Sequence, residues 1–171
     1  MGRTYSYDSK MLLSDNAAAY TASGIGQVAS ANAILNLGGT GDVRTDLGII
    51  GLSGGRGDFA AIFNVTAMTT ATDGQANLWI LGSNNSDGSK PVVLGGHQVG
   101  LGSTLPNGSG TTTQTDILGT GSTTSPGRRE VFFSTEQNGI FYQYIYLYVQ
   151  HIGSTSHSVA VHCYVAKLPI E

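Results

Sequence analysis

Several residue patterns in this chain have the spacing of known chemistry, and each demands a particular local fold. Gly51-Leu52-Ser53-Gly54-Gly55 has the G-x-S-x-G form of a nucleophile elbow. That motif lifts its serine towards a histidine only where a strand turns sharply into a helix. Here a further Gly-rich turn and a strand beginning near Phe59 follow, so Ser53 is expected to be a loop residue. Gly24-Ile25-Gly26-Gln27-Val28-Ala29 has the G-x-G-x-x-A spacing of a dinucleotide fingerprint. Pyrophosphate binding there requires a preceding buried strand and a following helix N-terminus. Neither is visible, and the segment reads as a turn. His151, His157 and His162 are close in sequence, and imidazole is the commonest metal ligand. No neighbouring Asp, Glu or Cys completes a tetrahedral set, so ordinary polar or packing histidines are expected. Cys163 lies among Val161, Tyr164 and Val165, the setting of a small buried hydrophobe. Arg56-Gly57-Asp58 reads as loop chemistry, and the sequons at Asn64, Asn84 and Asn107 matter only for an exported protein. The carboxylates are scattered, with no pair spaced for acid/base work. No catalytic residue, metal or cofactor is expected.

Composition narrows the classes further. A chain of 171 residues favours one domain. Charged residues make up 11%, against roughly 25% in ordinary globular proteins. Glycine, at 25 residues, is about twice its usual share of roughly 7%. Ser, Thr, Asn and Gly replace the missing charge, giving a turn-rich protein with a neutral polar surface suited to an assembly. The net charge of −3 and the lone basic pair Arg128-Arg129 argue against nucleic acid as a partner. One cysteine excludes an intramolecular disulfide framework. The opening MGRTYSYDSK lacks a signal-peptide apolar run, and no stretch reaches the ~20 apolar residues of a membrane span, so a soluble, unexported protein is expected.

The elements that would position any site are strands. Ala33–Leu37, Phe59–Thr66, Ala76–Leu81, Pro91–Val99 and Glu130–Thr135 are strand candidates, with a further short edge strand within 47–52. In the second of these, Phe59, Ala61, Phe63 and Val65 face one way and Asn64 and Thr66 the other, the period of a half-buried strand. Asn84-Asn85-Ser86-Asp87-Gly88 and Asn138-Gly139 are turn signals. Residues 100–127, rich in Gly, Ser and Thr, are expected to be the least regular part. Residues 1–30 read as an extended N-terminal arm, with a first strand of the same domain as the alternative; a single domain then spans 31–171. No helical period is sustained, so the expected fold is an all-β antiparallel sandwich or barrel.

The strongest segments, Ile140–Ile152 and His157–Lys167, read as one long hairpin. One face carries Phe141, Ile145, Leu147, Val149, Val159, Val161, Cys163 and Val165. The other carries Tyr142, Tyr144, Tyr146 and Tyr148, with Tyr164 on the partner strand. Tyrosine suits surfaces that are apolar in body and wet at the tip, so this ladder is expected at an oligomer interface or against the second sheet.

The order of several segments resembles a known family. Tyr5-Ser6-Tyr7-Asp8 leads to Leu12-Leu13-Ser14-Asp15-Asn16-Ala17 and Ala22-Ser23-Gly24. Ile34-Leu35-Asn36-Leu37-Gly38-Gly39-Thr40-Gly41-Asp42, Leu81-Gly82-Ser83-Asn84-Asn85-Ser86 and the closing Lys167-Leu168-Pro169 follow. Over most of its length the chain is similar to the jelly-roll capsid cement (decoration) proteins of tailed bacteriophages. The resemblance implies a β-sandwich jelly roll on the outer surface of the virion capsid, made in the host cytoplasm. Its partner would be the phage major capsid protein, whose subunit contacts it stabilises. It would act as a homo-oligomer, dimeric in preference to trimeric, without enzymatic activity. The insertion at 100–127 is longer than that pattern implies.

An arm that orders on docking can wrap a large surface at an entropic cost, and many copies add avidity. Tyr5, Tyr7, Leu12 and Leu13 are therefore the expected capsid contacts, and deletion of residues 1–16 is expected to abolish binding while the domain stays folded. The alternative function is a carbohydrate-binding jelly-roll module on a phage head or tail. The single Trp79 lies inside a strand rather than in a loop-lined cleft, which counts against it.

Overall fold

The computed structural model describes residues 9–37, 58–69, 75–100, 127–152 and 158–167. A single 3-10 turn, Ser9–Met11, is the only helical piece among them. The strands are β1 (Leu12–Asp15), β2 (Gly24–Ile25), β3 (Gln27–Val28), β4 (Ala31–Asn32), β5 (Ile34–Asn36) and β6 (Asp58–Thr69). They continue as β7 (Gln75–Ser83), β8 (Val92–Gly100), β9 (Gly127–Ser134), β10 (Glu136–Gln137), β11 (Ile140–Phe141), β12 (Tyr144–Ile152) and β13 (Ser158–Lys167). The expected edge strand within 47–52 lies outside the described residues, as does nearly all of the 100–127 segment.

Two antiparallel sheets form a sandwich. The first runs β1-β13-β6-β9; in the second, β2 and β5 both pair with β12, followed by β7 and β8. Each sheet is apolar on one face, and the two apolar faces form one buried cluster. Phe59, Phe63, Val161 and Val165 enter it from the first sheet; Leu78, Ile80, Ile145 and Leu147 enter from the second. Burying each such side chain stabilises the fold by ~1.5–3 kcal/mol. Phe59 and Phe133, paired across β6 and β9, stack with ring centroids 5.7 Å apart.

The expected hairpin of Ile140–Ile152 with His157–Lys167 is not formed. β12 pairs with β7, whereas β13 pairs with β6 and β1, in the other sheet. Alternation predicted the buried faces of both strands correctly, but a period of two does not specify the neighbour. Paired in one sheet, both aliphatic faces would need a further layer above them. Placed in opposite sheets, Ile145, Leu147 and Val149 share one buried cluster with Val159, Val161 and Cys163. Phe141 leaves that face as well, because β11 belongs to a separate small hairpin with β10.

An arm spanning 1–30 is likewise corrected for its described part. β1 is an edge strand of the first sheet, and β2 pairs with β12 in the second. Leu13 is fully buried. The reason is a chain of polar contacts. The Gln27 N–H donates to Tyr20 Oη (2.8 Å), and the Ser14 hydroxyl donates to the Val161 carbonyl (2.7 Å). With its own proton committed there, Ser14 Oγ accepts from the Tyr20 hydroxyl at 2.9 Å. Gly26 then crosses from one sheet to the other: its N–H donates to the Leu147 carbonyl, and its Cα lies so close to the Leu13 carbonyl that a Cβ would collide. The described part of this segment thus follows the alternative reading, a first strand paired into the same sheets as the rest of the described fold.

Leu13 distinguishes strand from arm. Leu13→Ala is expected to lower stability by ~2–5 kcal/mol in urea unfolding, the range for a buried leucine. In a free arm the same change would stay within ~0.5 kcal/mol.

Candidate functional site

None of the catalytic patterns assembles among the described residues. Ser53, Arg56 and His157 lie outside them, and so do Tyr5 and Tyr7. Gly24–Ala29 runs through β2 into the small β3–β4 hairpin, so no helix N-terminus faces the glycines. His151 is on β12 and His162 on β13, in opposite sheets. No group of three or more His, Cys, Asp or Glu is placed to hold a metal among the described residues. Cys163 is fully buried, and burial pushes its thiol far above the ordinary value, away from the reactive thiolate. His162 is held below its ordinary value by burial, partly offset by Asp15, its register partner on β1.

The tyrosines do not form one strip. Tyr144, Tyr146 and Tyr148 share the outer face of the second sheet, opposite the buried Ile145 and Leu147. Tyr142 precedes β12, where the alternation has not begun; its Cβ packs on the core side of Gly82 beside Leu94. Tyr164 is on the far side of the molecule, in a small cluster with Ala60, Ile62 and Leu12 on the outer face of the first sheet. Leu12 therefore packs on Tyr164, while Leu13 faces the core. The ladder faces away from the opposing sheet, so packing between the sheets is not its role.

Tyr146 is buried by a turn folded over it. Its hydroxyl donates to the Gly88 carbonyl at 2.8 Å, and its ring lies against Gly88 near Ile34. Burial first, then the neighbouring Tyr148 and Asp87, raises its hydroxyl pKa above the ordinary value. The turn is internally braced: the Asn85 N–H donates to Ser83 Oγ (3.0 Å) and the Ser89 N–H to Asp87 Oδ1 (2.9 Å).

Towards the other end of the same face, polar and aromatic groups are arranged around Trp79. Its register partners are Tyr148 on β12 and Gly96 on β8. The indole N–H donates to Gln150 Oε1 at 2.9 Å, and Asn77 Nδ2 donates to the same oxygen at 3.2 Å. The opposite edge of the ring lies over Gly96, leaving no space for a side chain there. No strand of this sheet contains Lys, Arg, Asp or Glu. The strands of the first sheet contain all four types. Sequence reasoning placed the tyrosines on the correct face of β12 but missed Trp79, because its outward position depends on which strands flank β7.

A second surface lies at one end of the sandwich. Among the described residues the exposed large hydrophobics are Val93, Phe132, Ile140, Phe141 and Ile152, and all but Ile152 lie towards the end where β7 and β9 finish and β12 begins. Ile140 and Phe141 project on the β10–β11 hairpin, whose Asn138-Gly139 turn has positive φ at both residues, as the sequence indicated. The hairpin base closes where the Tyr142 N–H donates to the Thr135 carbonyl. The chain also enters the described fold here: β1 starts opposite Tyr164, and the turn Ser9–Met11 continues towards the Lys167 end of β13.

Two measurements check this geometry. Tyr146→Phe keeps the ring but loses the bond to Gly88; a cost of about 1 kcal/mol is expected, lowering Tm by ~2–4 °C. Asp15 accepts from the Ala29 N–H (2.7 Å) and the Ala17 N–H (2.9 Å), which hold its carboxyl below the ordinary 3.8. A depressed carboxylate stabilises the fold above its unfolded pKa, and that contribution disappears as pH falls through 3.8 towards the folded value. Asp15→Asn is therefore expected to flatten the acid limb of the stability–pH curve.

No protein-family model, curated protein or solved structure matches this chain. Its functional reading rests on the chemistry of these two surfaces.

Proposed function

We propose that this chain is a capsid cement protein, a structural virion protein that binds the outside of a tailed-phage head and stabilises contacts between major capsid subunits. The observation that carries the reading is the apolar end. Phe132 and Ile140 are 53% and 51% exposed, and Phe141 and Val93 are also exposed at this end of the strands. Large apolar side chains exposed at one end of a surface otherwise rich in neutral polar groups are suited to burial against a protein partner. Residues 1–8, with Tyr5 and Tyr7, precede the point where the chain enters the described fold at this same end, so they and the apolar tip would act together.

The strand order also supports the reading. β1-β13-β6-β9 facing β2/β5-β12-β7-β8 is the order that two interlocked Greek keys produce in an eight-stranded jelly roll. The sequence resemblance points to the same architecture. The partner is the major capsid protein, with many copies supplying avidity that one modest contact lacks. Self-association into a dimer, in preference to a trimer, belongs to the same proposal.

The test is co-sedimentation of the full chain with DNA-filled heads of the encoding phage. Deleting residues 1–16 would remove β1 and Leu13, so the truncation has to stop at residue 8. Ile140→Asp with Phe141→Asp is expected to weaken head binding at least tenfold, since each buried apolar side chain contributes ~1.5–3 kcal/mol. Removal of residues 1–8 should weaken binding further, with unfolding midpoints unchanged. Normal decoration by both variants would refute the proposal.

A further inference from the structure

We propose that the outer face of the second sheet around Trp79 is a binding platform for neutral oligosaccharide. The indole bridges three strands: one edge is fixed to Gln150 on β12, and the opposite edge lies over Gly96 on β8. Neighbouring strands are about 4.8 Å apart, so a ring anchored on both flanks lies along the sheet. One flat side then meets the backbone and the other faces outward. Trp79 and its cross-strand partner Tyr148 are both partly exposed. Directly opposed pairs have Cβ atoms ~4.5–5.5 Å apart, so the two aromatic side chains make a continuous floor.

The polar groups beside this floor are placed for hydroxyls. Gln150 Oε1 is occupied by the indole N–H and by Asn77 Nδ2. That double bond to one oxygen fixes the amide and leaves the Gln150 NH2 donors and the Asn77 Oδ1 acceptor without partners among the described residues. A pyranose presents the complementary pattern: an apolar C–H face for the electron-rich ring and vicinal hydroxyls that donate and accept at its edge. Charge selects the ligand class. With no Lys, Arg, Asp or Glu on any strand of this sheet, an anionic or cationic ligand finds no countercharge on the strands beneath it. Placement of Trp79 inside a strand therefore favours a sugar site, contrary to the expectation from sequence, because the strand turns the ring outward onto a glycine.

This platform does not depend on the capsid reading. Trp79 is the only tryptophan in the chain, so its fluorescence reports the site directly. The full chain is titrated with neutral gluco-, manno- and galacto-oligosaccharides, and with sialylated and uronic-acid oligosaccharides for comparison. A saturable emission change is expected with at least one neutral series and with none of the charged ones, at a Kd on the order of 1 mM for so open a site. Gln150→Ala and Tyr148→Ala should weaken it at least fivefold, whereas Tyr148→Phe, which keeps the ring, should retain it. The Ile140→Asp, Phe141→Asp variant should bind sugar like the wild type even where head binding is lost, which separates this proposal from the previous one. The proposal is overturned if no neutral series gives a saturable response at tens of millimolar. It is equally overturned if the folded Gln150→Ala and Tyr148→Ala proteins bind as the wild type does, or if the emission change follows protein concentration alone, as a second copy on this face would produce.

Discussion

The mutual burial of two aliphatic sheet faces is the constraint from which the rest of the structure follows. β12 and β13 carry the most regular alternation in the chain, and each needs a cover for its apolar side. The solution is to separate them, one per sheet, so that Ile145, Leu147 and Val149 meet Val159, Val161 and Cys163 across the sandwich. Once those two strands occupy opposite layers, every other long strand has a defined place. β6 and β9 extend the first sheet beside β13, while β7 and β8 extend the second beside β12. The tyrosine side of β12 is then forced outward.

The N-terminal segment binds the layers together. Backbone groups between Ser14 and Gln27 cannot all join a ladder, because the chain there passes from one sheet to the other. Tyr20 resolves part of this by taking the Gln27 N–H and giving its own proton to Ser14, which in turn donates to Val161. Buried polar groups are costly unless fully partnered, so this series tolerates little change. It also accounts for the left-handed backbone at Ala29 and Ser30: the β3–β4 turn presents the Ala29 N–H to the Asp15 carboxylate.

The outer surfaces divide the molecule into regions with different capacities. Of the two main sheets, only the first carries Lys, Arg, Asp or Glu on its strands, while the strands of the second present an aromatic and amide face. Among the described residues, the large apolar side chains left exposed lie towards the hairpin end, Ile152 excepted. One end can therefore hold the protein to a partner while a separate face stays open. Both features need a rigid support, and the sandwich supplies it because strands position side chains more closely than loops do.

By itself the sequence determined the class of fold, the positions of most strands, both Asn-containing turns and the face on which each regular strand buries its side chains. These are local properties: alternation and turn residues act over a few positions, so they are legible without knowing neighbours. Only the tertiary structure decided that β12 and β13 separate, that Leu13 belongs to the core, and that Tyr142 and Tyr164 stand apart from Tyr144–Tyr148. It also decided that Trp79 lies across Gly96 against Gln150, a contact between residues 17 and 71 positions apart. Strand partners are chosen by how apolar faces can cover one another across the whole chain, and a period of two carries no record of that choice.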